Sequence, residues 1–364
     1  MTPNFEPTFL VERPETQRIW VVRASGGHYV RHFRQAGVMA IGHLNEISVA
    51  KGPMFGVHAL DIERALKAVH RDRKKASITS HAKQVEAFCI AINKDDLVVT
   101  LDSRGLMVGR VASTPAYIDT DPIVLKNSDG TEDKMHHQLR RKVSWGPYIS
   151  REAVPIAMEM TLRAHQTVFN IDGYWASVYH LLYPCFTFQG RLYLSANIRQ
   201  QDAIDNYSVS QLFGLLSGVE VMAKLLSAGS DAWSQYPHNL VELRETLDLN
   251  LSSKAEFMSP GTVWSTLELD STGILWAAVI YVMLFGGDLK FFKADGIIDT
   301  HTRQKIWDLV LKLRKTHDVE KIQKKLKVEV PKLETENIEV PAQKAKRTRR
   351  TAAVVEKKDL DKNF

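Results

Sequence analysis

The chain has 364 residues, 44% of them hydrophobic and 25% charged, with a formal net charge of +6 and a pI near 9.1. This is the composition of a globular protein with room for two domains and a tail, and its mild positive balance favours an acidic partner such as nucleic acid. The two cysteines, Cys89 and Cys185, fall in apolar settings with no C-x-x-C or zinc spacing, which excludes a disulfide framework and predicts core thiols in a reducing, cytoplasmic setting.

Residues 1–17 are polar and proline-bearing, with no signal-peptide pattern, and predict a loosely ordered start. IWVVRA, from Ile19, predicts a strand that stops at Ser25-Gly26-Gly27. HYVRHFRQA predicts a helix with Val30 and Phe33 on one face, and VMAIGHL a second strand. Asp61 to Val69 and Ser80 to Ile92 predict helices, the latter capped by Ser80. LVVTL, LMVGRVA, PIVLK and QLRRKVSW then predict strands, the last two separated by the polar loop NSDGTEDK. Strands that return antiparallel after a few helices suggest a small curved sheet or barrel. Gly146-Pro147 predicts a break, so a boundary is expected between Trp145 and Val154.

A second α+β region is expected over 151–316. Arg151 to Arg163 has helical spacing, and CFTFQG and RLYLSANI predict a strand pair turning at Gln189-Gly190. Ser210 to Leu226 predicts a helix, and Leu249 to Asp270 strand segments broken at Ser259-Pro260-Gly261. The apolar run from Gly273 to Gly287 is shorter than the roughly 20 residues of a membrane span and predicts a buried core helix. Arg303 to Arg314 is a last amphipathic helix. From 317 to 364 the apolar periodicity fades, and this lysine-rich segment, with KAKRTRR at 344–350, predicts a disordered tail that adds salt-sensitive affinity for nucleic acid.

The order of pieces in the first region is informative. Ile19 to Ala24 is an opening tryptophan strand, Phe33 precedes Gly37 to Gly42, Phe88 precedes Asp95-Asp96-Leu97-Val98-Val99, GLMVGR spans Gly105 to Arg110, and His137 precedes Arg140 to Trp145. Over 18–148 this series resembles the EVE branch of the PUA-like superfamily, which also holds the YTH, ASCH and SRA domains. It is most similar to the EVE-type reader modules that precede motor or nuclease domains in modification-dependent restriction systems. Residues 151–316 resemble no family. His43 departs from the pattern, standing where the family often has a second tryptophan after Ile-Gly.

The resemblance implies an α+β fold with a PUA-like curved sheet and a pocket for a modified or flipped base. Trp20, Tyr117 and Trp145 would wall it. Arg23 would touch a phosphate or base edge, and Ser25, Gly26 and Gly27 would bring backbone N–H groups close. Arg71, Arg73, Lys74 and Lys75 after one helix, and Arg140 and Arg141 on the closing strand, would hold phosphates. The plainer reading stays open beside this one: core packing for the tryptophans, a tight turn for the glycines, a solvated face for the cations. His136-His137 suggests no metal, because neighbouring strand residues point to opposite faces.

No phosphate loop, H-E-x-x-H, G-x-S-x-G or kinase pattern occurs, so no catalytic residue and no cofactor are assigned. The expected function is a cytoplasmic reader or adaptor in anti-phage defence, with nucleic acid as partner (DNA ahead of RNA), possible recruitment of a separate effector protein, and no membrane. The alternative is an effector enzyme whose 151–316 region acts on nucleic acid or a nucleotide chosen by the first. The base that is read and the oligomeric state are open.

Overall fold

Strand runs with no polar alternation belong to sheets covered on both faces. Ile19–Val22 is buried at every position: Trp20 and Val22 pack into one hydrophobic cluster, Ile19 and Val21 into another. The computed structural model describes residues 10–230, 232–236, 238–256, 261–285 and 300–331. The expected break at Ser259-Pro260, the end of the apolar run beyond Phe285 and the basic run of the tail lie outside these residues.

In chain order the first elements are β1 (Val11–Glu12), β2 (Ile19–Val22), α1 (Val30–Ala36), β3 (Val38–Ile41), β4 (Gly52–Pro53), α2 (Ala59–Val69) and α3 (Lys75–Glu86). They continue with β5 (Leu97–Leu101), β6 (Gly105–Val111), β7 (Tyr117–Ile118), β8 (Ile123–Lys126), β9 (Glu132–Met135) and β10 (Leu139–Ser150). Next come α4 (Ile156–Thr161), β11 (Val168–Asn170), α5 (Trp175–Leu182), β12 (Cys185–Phe188), β13 (Arg191–Ile198), α6 (Asn206–Ser227) and α7 (Leu240–Thr246). The last are β14 (Ser252–Glu256), β15 (Gly261–Glu268), α8 (Ser271–Leu284), α9 (Thr300–Thr316), α10 (Val319–Leu326) and β16 (Val328–Glu329).

The fold is mixed α+β with a sheet curled into a half-barrel. That sheet runs β11-β2-β5-β6-β10-β7-β4, with β3 also on β10. The curl comes from β10, whose first residues pair with β3 and β7 and whose later ones pair with β6. Gly146-Pro147, expected to end the strand, sits instead at a register shift within it, and pairing resumes at Tyr148. A bulge bends a strand without ending it. The polar loop after PIVLK also holds a strand: β9 pairs antiparallel with β8. Helix α3 starts at Lys75, so Ser80 lies inside it and caps nothing; Arg151 to Arg163 gives only a single turn and the short α4.

The expected boundary at 148/151 is bridged in both directions. β11 pairs with β2, and β1 pairs with β12 of the second sheet, whose path is β1-β12-β13-β15-β14. Ile19, Val21, Leu97, Val99, Leu106 and Val108 share one cluster with Met158, Leu162, Val178, Tyr179 and Phe186. The physical reason lies in β2, whose second apolar face needs a cover that residues beyond 150 supply. A fragment ending at residue 150 is expected to be insoluble when expressed, whereas the full chain should show one cooperative unfolding of this shared core.

The second sheet packs on α6, α8, α9 and α10. Asp205 and Asp270 cap α6 and α8 by accepting from the backbone N–H of Ser208 and Gly273. Among the described residues α6 alone is long and apolar enough to cross a membrane, and it packs against α8 in this core. The expected start of the tail at 317 is too early. Val319, Ile322 and Leu326 make a short buried stripe on α10, and β16 pairs with β13. Truncation after Lys315 should therefore lower the thermal midpoint markedly.

Candidate functional site

The opening turn is built for close approach. Ser25, Gly26 and Gly27 take φ of +49°, +67° and +99° in succession, and the Gly27 and Tyr29 N–H groups both donate to Ala24 O, at 3.1 and 3.0 Å. A Cβ on Gly27 would lie 2.6 Å from Asp102 Cβ and 2.7 Å from Asp102 Cα, whereas one on Gly26 would meet open space. Asp102 is itself fixed, accepting from the Tyr148 hydroxyl and from the N–H groups of Arg104 and Gly105. The glycine pair therefore seats the turn against a second turn and aims Ser25 outward.

Ser25 Oγ lies 2.9 Å from His137 Nε2. The tautomer follows from Asn45. Its Oδ1 accepts the Gln138 N–H at 3.2 Å, which leaves Nδ2 facing His137 Nδ1 at 3.4 Å. Nδ1 is then the bare acceptor, and Nε2–H donates to Ser25. The exposed serine hydroxyl keeps its own proton to offer outward. Gly42 makes room for this arrangement, since a Cβ there would lie 2.7 Å from the His137 ring. Tyr29 stands edge-on to His137 at 5.0 Å.

His43 and His81 stack beside this group, 4.4 Å apart with planes 10° from parallel. Burial, then the neighbouring His81, with further effects from His137 and Arg73, holds His43 at a pKa of about 4; burial, then Arg140, holds His137 at about 4. Both rings are therefore neutral at pH 7. Gln84 is close to His43, but its carboxamide is committed to the N–H groups of Thr167 and Val168 and to Ser80, and among the described residues His43 Nε2 has no hydrogen-bond partner. An unmatched buried nitrogen costs about 1–3 kcal/mol. The site offers neutral aromatic rings and an oriented hydroxyl donor, while the unmatched His43 nitrogen is buried.

A pH dependence follows. His43 and His137 have folded pKa values below the unfolded value near 6.5, so the unfolded state takes up protons first. Their contribution is fully present above about pH 6.5 and is lost as pH falls toward 4, at up to about 1.4 kcal/mol per pH unit for each ring. The urea midpoint should drop between pH 7.5 and 5, and His43→Gln should make that dependence shallower.

The sequence-predicted residues divide. The walls expected at Trp20 and Trp145 are core residues, 5% and 6% exposed. Trp20 Nε1 donates to Asp96 and Trp145 Nε1 to Val38 O, and Trp145 stacks on Phe33 at 6.2 Å. As folded, neither offers a free face to a base. Tyr117 is partly buried on β7 opposite Arg140, and among the described residues no hydrogen bond or ring contact joins it to Ser25, His43 or His137. Arg23 reaches into the second region and donates to Leu162 O.

Of the expected phosphate ligands, Arg71, Arg73, Lys74 and Lys75 are exposed. Arg140 and Arg141 are not surface cations: they are 3% and 0% exposed. Arg140 pairs with Asp119 at 3.1 Å, and Arg141 donates to the carbonyls of Phe88, Ile92 and Ser113. The start of β10 is covered on both faces, so these adjacent residues are both internal, whereas Lys142 and Ser144 further along are exposed. Sequence reasoning missed Asn45 and His81 and gave Tyr29 no role. The available signal was the density of histidines: His28, His32, His43, His70, His81 and His137 all fall in the first region. Among the described residues no group of three or more His, Cys, Asp or Glu is placed to hold a metal ion. The chain matches no protein-family model, no curated protein and no solved structure.

Proposed function

We propose that the first region is an EVE/PUA-like reader that seats one nucleobase, modified or flipped from its strand, against Ser25, His137 and the His43–His81 pair. The observation that carries this reading is the combination of neutral stacked imidazoles, an oriented Ser25 hydroxyl and an arginine near the stacked rings that enters no ion pair among the described residues. Arg73 acts electrostatically on both His43 and His81, so a positive charge borders the stacked rings. A neutral base gains stacking and edge hydrogen bonds from such a surface, at roughly 1–3 kcal/mol for each stacked ring. His43 takes the place of the family's second tryptophan, and an imidazole edge adds a hydrogen-bonding choice that indole lacks. The role is that of a reader or adaptor for a separate effector, with DNA the first candidate target.

The test is binding of the full chain to a panel of plain and modified single-stranded and duplex oligonucleotides. One base or modification should be preferred about tenfold or more, and His43→Ala should remove that preference by losing one stacking surface. Equal affinity across the whole panel would overturn the reading.

A further inference from the structure

Beside α3 lies an open groove of about 650 Å³, lined by Lys75, Thr79, Lys83 and Gln84 of the helix and by Gln166 and Val168 across from them. No carboxylate is among its lining residues. Lys75 and Lys83 are eight residues apart, about 12 Å along the helix axis. Thr79, Ser80 and Gln166 place hydroxyl and amide donors between and opposite them. The far wall is held by Gln84 Oε1, which accepts from Thr167 and Val168 N–H at 2.7 and 3.0 Å.

Several surface cations elsewhere are ion-paired. Lys51 pairs with Asp119 and Asp121, Arg64 with Asp61, Lys134 with Glu132, Arg151 with Glu159 and Arg191 with Glu268. Among the described residues Arg71, Arg73, Lys74, Lys75 and Lys83 enter no ion pair. Two acids lie nearby: Asp72 is exposed within the run and dilutes it, and Glu86 accepts the Ala59 N–H at 3.0 Å. These cations also adjoin the histidine site. His81 and the groove's Lys75, Thr79 and Lys83 all belong to α3, residues 71–74 lead into its first turn, and Arg73 is in electrostatic reach of His81 and His43.

We infer that this groove carries the sugar-phosphate backbone of a single nucleic-acid strand that leaves the histidine site around the N-terminal end of α3. The inference rests on the base-binding reading above and adds the strand's path. An open, donor-lined basic channel fits a backbone of repeating phosphates and reads no sequence. Its length suits about three or four nucleotides at the stacked rise of about 3.4 Å. Ala76, Ala87 and Val168 leave apolar surface for the sugars.

The test compares wild-type protein with Lys75→Gln/Lys83→Gln, using labelled strands of about 4 and about 12 nucleotides that share one central base. Each phosphate contact on a single strand contributes a salt slope of about 0.7. The double variant should thus bind the longer strand about 10- to 30-fold more weakly near 0.1 M salt, with a slope smaller by about 1.4. Preference for the central base should be unchanged, and Lys75→Arg/Lys83→Arg should restore affinity. Wild-type affinity for the longer strand in the glutamine variant would overturn the path even if base preference persisted. Loss of affinity without any base preference would keep the path and sink the base site instead. Equally tight, lysine-dependent binding of polyglutamate would mark an acidic polypeptide groove and overturn the nucleic-acid assignment.

Discussion

Replacing Arg141 with methionine should remove about 3–5 kcal/mol of stability, a large share of what a protein of this kind possesses. Helix α3 ends in a π-helical turn over Ala87–Ala91, and a helix end leaves carbonyls without partners. The Arg141 guanidinium, wholly buried, reaches the Phe88, Ile92 and Ser113 oxygens and so joins that helix end to β10. Methionine fills much of the volume but leaves each acceptor unmatched. Lysine keeps the charge, but it lacks the planar fork that spans several acceptors, and it should recover only part of the loss. Urea unfolding of the variants measures this; a change below about 1 kcal/mol for methionine would show that the carbonyls have other partners.

The second large effect is expected at Gly27. Alanine there must adopt φ near +99° and place a methyl group within 2.7 Å of the Asp102 backbone. The turn then has to move, at a cost of about 2–4 kcal/mol, and the Ser25–His137 hydrogen bond moves with it. Base binding should fall together with stability. Gly26→Ala meets open space and bears only its left-handed backbone, so about 1 kcal/mol is expected. Equal behaviour of the two variants would mean that Asp102 does not constrain the turn.

The paired variants also show why the first turn was only half legible in the sequence. A glycine pair after a strand announces positive φ, which is local, but Asp102 lies 75 residues further on and its approach to Gly27 is not local. The same divide runs through the fold. Strand runs such as IWVVRA and RLYLSANI and the apolar helix after Asp270 were readable because period and caps are local signals. The pairing of β11 with β2 was not, because three residues carry too little pattern to say which edge they join. Trp20 and Trp145 misled because an aromatic on a strand reads alike whether its face meets a ligand or a core. Arg140 and Arg141 misled because the groups that hold them inside, Asp119 and the carbonyls of Phe88, Ile92 and Ser113, come from distant segments. The histidine site had a visible ingredient in His43, yet the partner that stacks on it belongs to a helix 38 residues away.

In the proposed complex a nucleobase contacts Ser25, His43, His81 and His137 and leaves the tryptophans in the core. Side-chain NMR of the histidine and tryptophan rings, recorded while the preferred oligonucleotide is titrated into the full chain, tests this directly. The predicted result is saturable shifts of the His43, His81 and His137 ring signals at the same strand concentration, with the Trp20 and Trp145 indole N–H signals unmoved. Shifts of those two indoles with silent histidines would contradict the account and return the base to the pocket that the sequence alone suggested.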